Sequence, residues 1–118
     1  MFAEQIQSVV DNVDGGIGGL VMGLDGIAVD SYTRSGKTLD INSLGMEFSF
    51  ILGQIKKASA SMEVGELGEF TVGAESLTMV IRMLSDEYFL AVALDKEANF
   101  GKCRFLMRLA QPALSKEL

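Results

Sequence analysis

The stretch LVMGLDGIAVDSY, residues Leu20 to Tyr32, joins two apolar segments at Leu24-Asp25-Gly26. An Asp-Gly pair supplies the positive-φ residue that tight hairpins prefer, so the stretch predicts two antiparallel strands, Ile17 to Met22 and Ile27 to Tyr32. A two-stranded hairpin is only marginally stable alone. The elements before and after it must therefore supply further strands and a covering layer.

Helical and extended patterns surround the hairpin. Apolar residues recur at helical spacing from Phe2 to Val13 and again from Phe100 to Leu114, and Asp40 can cap a long helix running to about Met62. Pro112 should kink or end the last helix unless it opens a new turn. Three more strands are predicted at Leu67 to Gly73, Leu77 to Leu84 and Tyr88 to Leu94.

The last of these strands lacks alternation of apolar and polar residues, which indicates a central strand covered on both faces. The element order is helix, two strands, helix, three strands, helix, with no repeat or linker in residues 1–118. This order predicts a single α/β domain, a three-layer sandwich on one five-stranded sheet. The helices at the two chain ends share one face, and the long middle helix covers the other.

Composition narrows the classes of function. The 118 residues are 48% hydrophobic and carry a net charge of −6, which disfavours nucleic acid and anionic membranes as partners. Cys103 is the only cysteine, so an intrachain disulfide is excluded. No apolar run approaches the length that spans a bilayer, and Glu4 stands where a secretory signal carries positive charge. We therefore expect a cytoplasmic protein without membrane insertion.

Several motifs imitate catalytic or cofactor sites. The loop Ser31 to Thr38 resembles the end of a P-loop, but it has serine where the phosphate-binding turn needs glycine. Gly15 to Gly19 enters a strand instead of leaving one, unlike a dinucleotide fingerprint. The sequence has no histidine to act as a general base, and its carboxylates Glu63, Glu66, Glu69 and Glu75 are typical of a solvated rim. We expect no catalytic residue, cofactor or metal, and we interpret the four arginines as surface charges.

The middle helix has more apolar surface than one sheet can cover. The stripe predicted to face the sheet consists of Ile41, Leu44, Phe48, Leu52 and Ile55, and Ala58 continues it. A second line around the helix holds Met46, Phe50, Gly53 and Lys57. Glycine in a helix interior costs about 1 kcal/mol relative to alanine and suggests that another backbone comes close.

The strand from Leu67 to Gly73 has a related problem. If it lies at the sheet edge, its alternating Phe70 and Val72 belong to an unprotected ladder that another chain can extend. Pairing with a symmetry mate would cover both this edge and the second line of the middle helix.

The chain resembles the roadblock family, which has the dynein-light-chain type of fold. The resemblance covers nearly the whole chain and rests on the element order, the hairpin LVMGLDGIAVDSY, the helix DINSLGMEFSFILGQIKKAS and the tail NFGKCRFLMRLAQPALSKEL. Its bacterial, MglB-like branch regulates small Ras-like GTPases.

The resemblance implies strand order 2-1-5-4-3 and a homodimer in which the third strands pair antiparallel and the middle helices lie side by side. The implied dimer residues are Leu67, Phe70, Thr71, Val72, Phe50 and Gly53. The implied GTPase-docking residues are Met46, Phe50, Gly53, Lys57 and Ala60.

The resemblance implies a dimeric, non-enzymatic binding module that modulates the nucleotide cycle of a Ras-like GTPase, in the manner of an activating protein. Such a regulator repositions the GTPase's own switch residues without inserting an arginine. Two alternatives stay open. A small-molecule sensor would need a large apolar cavity with converging polar groups, and a scaffold or adaptor would bind its GTPase equally in both nucleotide states.

Overall fold

The computed structural model describes residues 2–118 and contains three helices and five strands. The helices are α1 (Phe2–Asp11), α2 (Ile41–Ser61) and α3 (Phe100–Lys116). The strands are β1 (Gly16–Gly23), β2 (Ala28–Thr33), β3 (Glu69–Gly73), β4 (Thr78–Met83) and β5 (Tyr88–Leu94). The element order agrees with the sequence prediction, and most boundaries agree to within two residues.

The sheet is antiparallel throughout and has the order β2-β1-β5-β4-β3. Two core clusters lie on its two faces. One contains buried residues of α1 and α3, and the other contains the buried residues of α2. The predicted three-layer sandwich is therefore confirmed, as is the strand order implied by the resemblance.

The hairpin predicted from LVMGLDGIAVDSY is formed by β1 and β2. Gly26 has φ +86°, and the Ile27 backbone N–H donates a hydrogen bond of 3.0 Å to the Asp25 carboxylate. The Gly23 N–H donates to the Ile27 carbonyl at 3.0 Å, which closes the turn. A register shift between Val21 and Met22 adds local twist to the pairing of β1 with β2.

The central position of β5 is also confirmed. It pairs with β1 on one side and β4 on the other, and all of its residues after Tyr88 are buried. The absence of alternation in this segment reflects burial on both faces. Helices α1 and α3 cover one face of this strand, and the other face belongs to the cluster beneath α2.

Asp40 caps the start of helix α2, as predicted. The Asp40 carboxylate accepts hydrogen bonds from the Ser43 hydroxyl at 2.7 Å and the Ser43 N–H at 3.1 Å, and these bonds lower the pKa of Asp40. The buried positions of the helix are Ile41, Gly45, Ser49 and Leu52. The predicted sheet-facing stripe is thus rotated towards smaller residues, and Ala58, which was expected to continue it, is exposed.

The reason for this rotation is close packing against β1. A Cβ atom placed on Gly45 would lie 2.7 Å from Leu20 Cδ2 and 3.1 Å from Met22 Cε. The side chains of β1 therefore occupy the space that a larger helical residue would need. The buried Ser49 hydroxyl donates to the Met46 carbonyl at 2.6 Å, so its polar atom has a partner.

Helix α3 continues through Pro112 to Lys116. It starts at Asn99, whose side chain accepts a hydrogen bond of 3.0 Å from the Lys102 N–H. Proline does not end the helix here, although it removes one intrahelical donor. Cys103, Met107 and Leu114 of this helix are buried and anchor it to the sheet on both sides of the proline.

Candidate docking surface on helix α2

The five residues predicted to contact a GTPase form one line along α2 that points away from the core. Met46 and Phe50 are 58% and 71% exposed, and Lys57 and Ala60 are also exposed. Gly53 is half-buried, and apart from its chain neighbours and the backbone of its own helix no heavy atom lies within 4 Å of the position that its Cβ would occupy. From Met46 to Ala60 the line is about 21 Å long, given the rise of an α-helix. We call it the Met46–Ala60 stripe.

A second apolar flank of α2 was not predicted as a contact surface. Ile51 is 41% exposed, and the helical period places it with Leu44 and Ile55 on a side about 140° away from Met46. The helix therefore presents two separate apolar flanks. The Met46–Ala60 stripe is exposed in the single chain, and on the second flank Ile51 is exposed while Leu44 and Ile55 are half-buried.

The positions of the two flanks follow from contacts at the ends of the strands. On the side nearer the Met46–Ala60 stripe, Ser49 Oγ lies 3.5 Å from the Cβ position of Gly26, and Lys56 Nζ donates a hydrogen bond of 2.6 Å to the Asp86 carbonyl. Gly26 and Asp86 belong to the two turns at one end of the sheet. Helix α2 itself packs mainly on β1 and β2.

The edge strand β3 has backbone groups available for pairing. The Gly68 carbonyl accepts from the Met83 N–H at 2.9 Å, and the Ala74 N–H donates to the Leu77 carbonyl at 2.8 Å. Bonding alternates along an antiparallel pair, so the intervening odd-numbered residues direct their N–H and C=O groups outwards. These are Glu69, Thr71 and Gly73.

The predicted dimer residues on this strand differ in burial. Thr71 is exposed, whereas Leu67, Phe70 and Val72 are half-buried and pack against the core cluster on the α2 side. Phe70 and Val72 thus contribute to the core of the chain itself as well as to the edge. Beyond the end of α2, Met62 and Val64 are each 70% exposed and extend the apolar surface, although sequence periodicity gave no signal for them.

The charged groups near β3 lie on the opposite face of the sheet. The Glu69 carboxylate contacts Arg104 Nη2 at 2.6 Å and Arg82 Nη1 at 3.6 Å, so this residue is not part of the solvated rim expected from the sequence. Its hydrogen bond and charge raise the pKa of Arg104. The network fastens β3 to β4 and α3 and leaves the α2 side of the strand apolar.

Clefts in the described residues open to solvent. One of them, of about 450 Å³, lies between the end of α2 and the start of β3, and its lining includes Glu63, Glu66 and Asp86. Within residues 2–118 no cluster of histidine, cysteine, aspartate and glutamate is arranged to hold a metal ion. In the same residues, none of the helices combines the length and the hydropathy needed to cross a bilayer.

Comparison with solved structures identifies the family. MglC from Myxococcus xanthus is 35% identical in sequence, with 98% of this chain and 97% of that chain covered and a TM-score of 0.71. The chain belongs to the roadblock/MglB-like family. MglB from Thermus thermophilus superposes with a TM-score of 0.85 at 14% identity, covering 96% of this chain and 84% of that chain.

A Roadblock/LC7 domain from Streptomyces avermitilis has the same fold, with a TM-score of 0.76 and 15% identity over 94% of this chain and 95% of that chain. Searches of protein-family models and of curated proteins find no match. Membership in the roadblock/MglB-like family identifies the chain as a regulatory or binding module.

Proposed function

We propose that this roadblock chain acts in the cytoplasm as a homodimeric, single-domain regulator that binds a small Ras-like GTPase and modulates its nucleotide cycle, in the manner of an activating protein. The observation that carries the proposal is the exposed Met46–Ala60 stripe. An apolar line on a rigid helix, ended by the cation Lys57 and Ala60, has the character of a protein contact surface.

The proposed homodimer is formed by the outer edge of β3 and by the flank of α2 that contains Ile51. The outward N–H and C=O groups of β3 pair with the same strand of a second copy, which joins two five-stranded sheets. The α2 helices of the two copies lie side by side over the joined sheets, where they cover the exposed Ile51 and the half-buried Phe70 and Val72. This division leaves the Met46–Ala60 stripes of both copies available for a further partner.

The GTPase as partner class comes from the sequence resemblance. A mechanism without an inserted arginine agrees with the placement of the four arginines, because three have partners within the chain and the fourth, Arg108, lies on α3, across the sheet from α2. Arg34 donates hydrogen bonds to backbone carbonyls, including those of Val13 at 3.1 Å and Asp11 at 3.2 Å. Arg82 and Arg104 are held by Glu69. The regulator contributes a shaped surface that holds the switch segments of the GTPase, and the GTPase supplies its own reacting groups.

The test is a binding and turnover assay with the small Ras-like GTPase encoded nearest to this gene. We expect Phe50→Arg to weaken binding by at least about tenfold, because a charge would enter a desolvated contact. Circular dichroism should be unchanged, since the Phe50 side chain is mostly exposed. The matched control is Phe105→Arg on α3, which should bind as the unmodified protein does.

Three outcomes separate the alternatives. Nucleotide-dependent binding with a faster GTP turnover supports regulation of the activating type. Tight binding that is equal for the GTP and GDP forms of the GTPase, with an unchanged rate of GTP turnover, would show that the protein is an adaptor and not a regulator. Binding that Phe50→Arg does not affect removes the Met46–Ala60 stripe from the proposal.

A further inference from the structure

Helix α3 has an exposed apolar face that neither the core nor the proposed dimer uses. Phe105 is 49% exposed and Leu109 is 62% exposed, although both lie in the middle of the helix. The helical period places them on the side opposite the buried Cys103 and Met107. This face belongs to the α1–α3 layer and lies across the sheet from α2.

A groove runs beside this face, between α1 and α3. It has a volume of about 260 Å³ and is lined by Gln5, Ser8, Val9, Leu106, Leu109 and Ala110. Its lining is mainly apolar, with the two polar side chains contributed by α1. Leu109 is therefore both a wall of the groove and part of the exposed face.

The charge of α3 is opposite to that of the whole chain. The helix carries Lys102, Arg104, Arg108 and Lys116 and has no carboxylate between Phe100 and Lys116, whereas the net charge of the chain is −6. Arg104 is paired with Glu69. In the described residues 2–118, no carboxylate lies within ion-pair distance of Lys102 or Arg108, and both side chains are exposed. The helical period places them on the two sides of the face that Phe105 and Leu109 form.

We propose that the exposed face of α3 formed by Phe105 and Leu109, together with the adjoining groove, binds an acidic amphipathic helix of a partner protein. The apolar side chains of that helix lie against Leu109 and Phe105, and its carboxylates face Lys102 and Arg108. Charge complementarity around an apolar strip is the pattern by which helices are recognised in grooves.

Two other occupants fit the face less well. A second copy of α3 would bring like charges together, because this helix has cations and no carboxylate. An anionic membrane would be repelled by the rest of a chain of net charge −6, and a groove is concave where a bilayer surface is flat.

The probe is a designed peptide of about 18 residues, five helical turns, with leucine along one face and glutamate along the rest. A fluorescent label reports binding to the full chain by anisotropy. A peptide with lysine in place of every glutamate is the matched control. We expect the acidic peptide to bind at least about tenfold more tightly than the basic one, and more weakly as salt increases.

The variants Leu109→Ser and Arg108→Glu should each weaken binding of the acidic peptide by about tenfold. Phe50→Ser and Lys57→Glu make the same chemical changes on α2 and should alter it by less than about twofold, since they lie across the sheet. Circular dichroism and thermal unfolding confirm that all four variants are folded.

Other results would overturn the inference. Equal binding of the acidic and basic peptides, or binding that Leu109→Ser and Arg108→Glu leave unchanged, shows that the groove does not select acidic helices. Stronger Leu109-dependent binding to phosphatidylserine vesicles than to the acidic peptide assigns the face to a membrane. Self-association that Arg108→Glu abolishes assigns it to a second copy of the chain.

Discussion

The two glycines in the interior of α2 look alike in sequence and have different surroundings. The Cβ position of Gly45 is occupied by Leu20 and Met22 of β1, whereas the Cβ position of Gly53 has no neighbour within 4 Å. Gly45 is thus the site of close approach within the chain. Gly53, from which the sequence argument inferred a close backbone, leaves room for one outside the chain.

This contrast gives a prediction for a matched pair of alanine variants. Gly53→Ala should raise the free energy of unfolding by about 1 kcal/mol, because alanine is the better helix former and meets nothing in the single chain. Gly45→Ala should lower it by about 1 kcal/mol, since overpacking against the buried Leu20 outweighs the same propensity gain. Urea unfolding at concentrations low enough to keep the protein monomeric measures both. Equal changes would show that the packing difference has no energetic weight.

Cys103 provides a prediction for alkaline pH. Burial, with a smaller effect from the charge of Glu69, raises the pKa of this thiol from 9.0 to about 12. A raised folded pKa means that the stabilising contribution is complete below pH 9 and disappears as the pH rises towards 12. Between those values the difference in unfolding free energy between the unmodified protein and Cys103→Ala should shrink by up to about 1.4 kcal/mol per pH unit. A constant difference across this range would contradict the assignment.

At the residue scale, the sequence did not predict which charged side chains contact residues of distant elements. Glu69 was assigned to a solvated rim, and Arg34 to the surface, because both are charged residues in polar surroundings along the chain. In the fold Glu69 lies between two arginines, and Arg34 donates to carbonyls at the end of α1 and the start of β1. Such partners are set by sheet order and helix placement, which local patterns do not encode.

At the scale of elements, Pro112 tests how a helix tolerates an interior break. The proline cannot donate to the carbonyl four residues earlier, yet α3 continues because Met107 and Leu114 are anchored in the core. Pro112→Ala should therefore stabilise the protein by about 1–3 kcal/mol by restoring one hydrogen bond and removing a clash. Thermal unfolding measures the change, and Ala113→Pro is the destabilising counterpart. A loss of stability in Pro112→Ala would mean that the proline has a packing role.

The elements themselves were predictable because each has a local signal. Asp25-Gly26 marks the hairpin, Asp40 the start of α2, and the unbroken apolar run the central β5. The face that α2 buries was less predictable, because Gly45 and Ser49 are not apolar by type and are buried only through the shape of β1. The Met46–Ala60 stripe was found from surplus apolar residues, whereas the Ile51 flank and the acidic-helix groove require knowledge of which elements are neighbours.

At the scale of the whole molecule, one sheet separates two apolar surfaces of different electrostatic character. The α2 face has exposed apolar side chains with Lys57 as the one cation of the Met46–Ala60 stripe, and the α3 face has exposed apolar side chains among several cations. The net charge of −6 for the whole chain therefore does not describe the charge of either surface. The two proposed partners would therefore not compete, because the contacts of one lie across the sheet from those of the other.

The proposed homodimer makes a prediction about the molecule as a whole. Thr71 is exposed and its N–H points away from β4, so Thr71→Pro removes a donor from the outer edge while every bond between β3 and β4 remains. The variant should be a monomer in light scattering at concentrations where the unmodified protein is a dimer. Thr71→Val keeps the N–H and should remain dimeric.

Mass action makes the same assignment testable through stability. Because a dimer dissociates as it unfolds, a tenfold increase in protein concentration should stabilise the unmodified protein and Thr71→Val by about 1.4 kcal/mol of dimer, with a higher Tm. The Tm of Thr71→Pro should not depend on concentration. A concentration-dependent Tm in Thr71→Pro would assign self-association to a surface other than β3, such as the α3 face with its exposed Phe105 and Leu109. The double variant Thr71→Pro, Leu109→Ser would then test the α3 face. If this face forms the dimer, the added Leu109→Ser substitution should abolish the dependence of Tm on protein concentration.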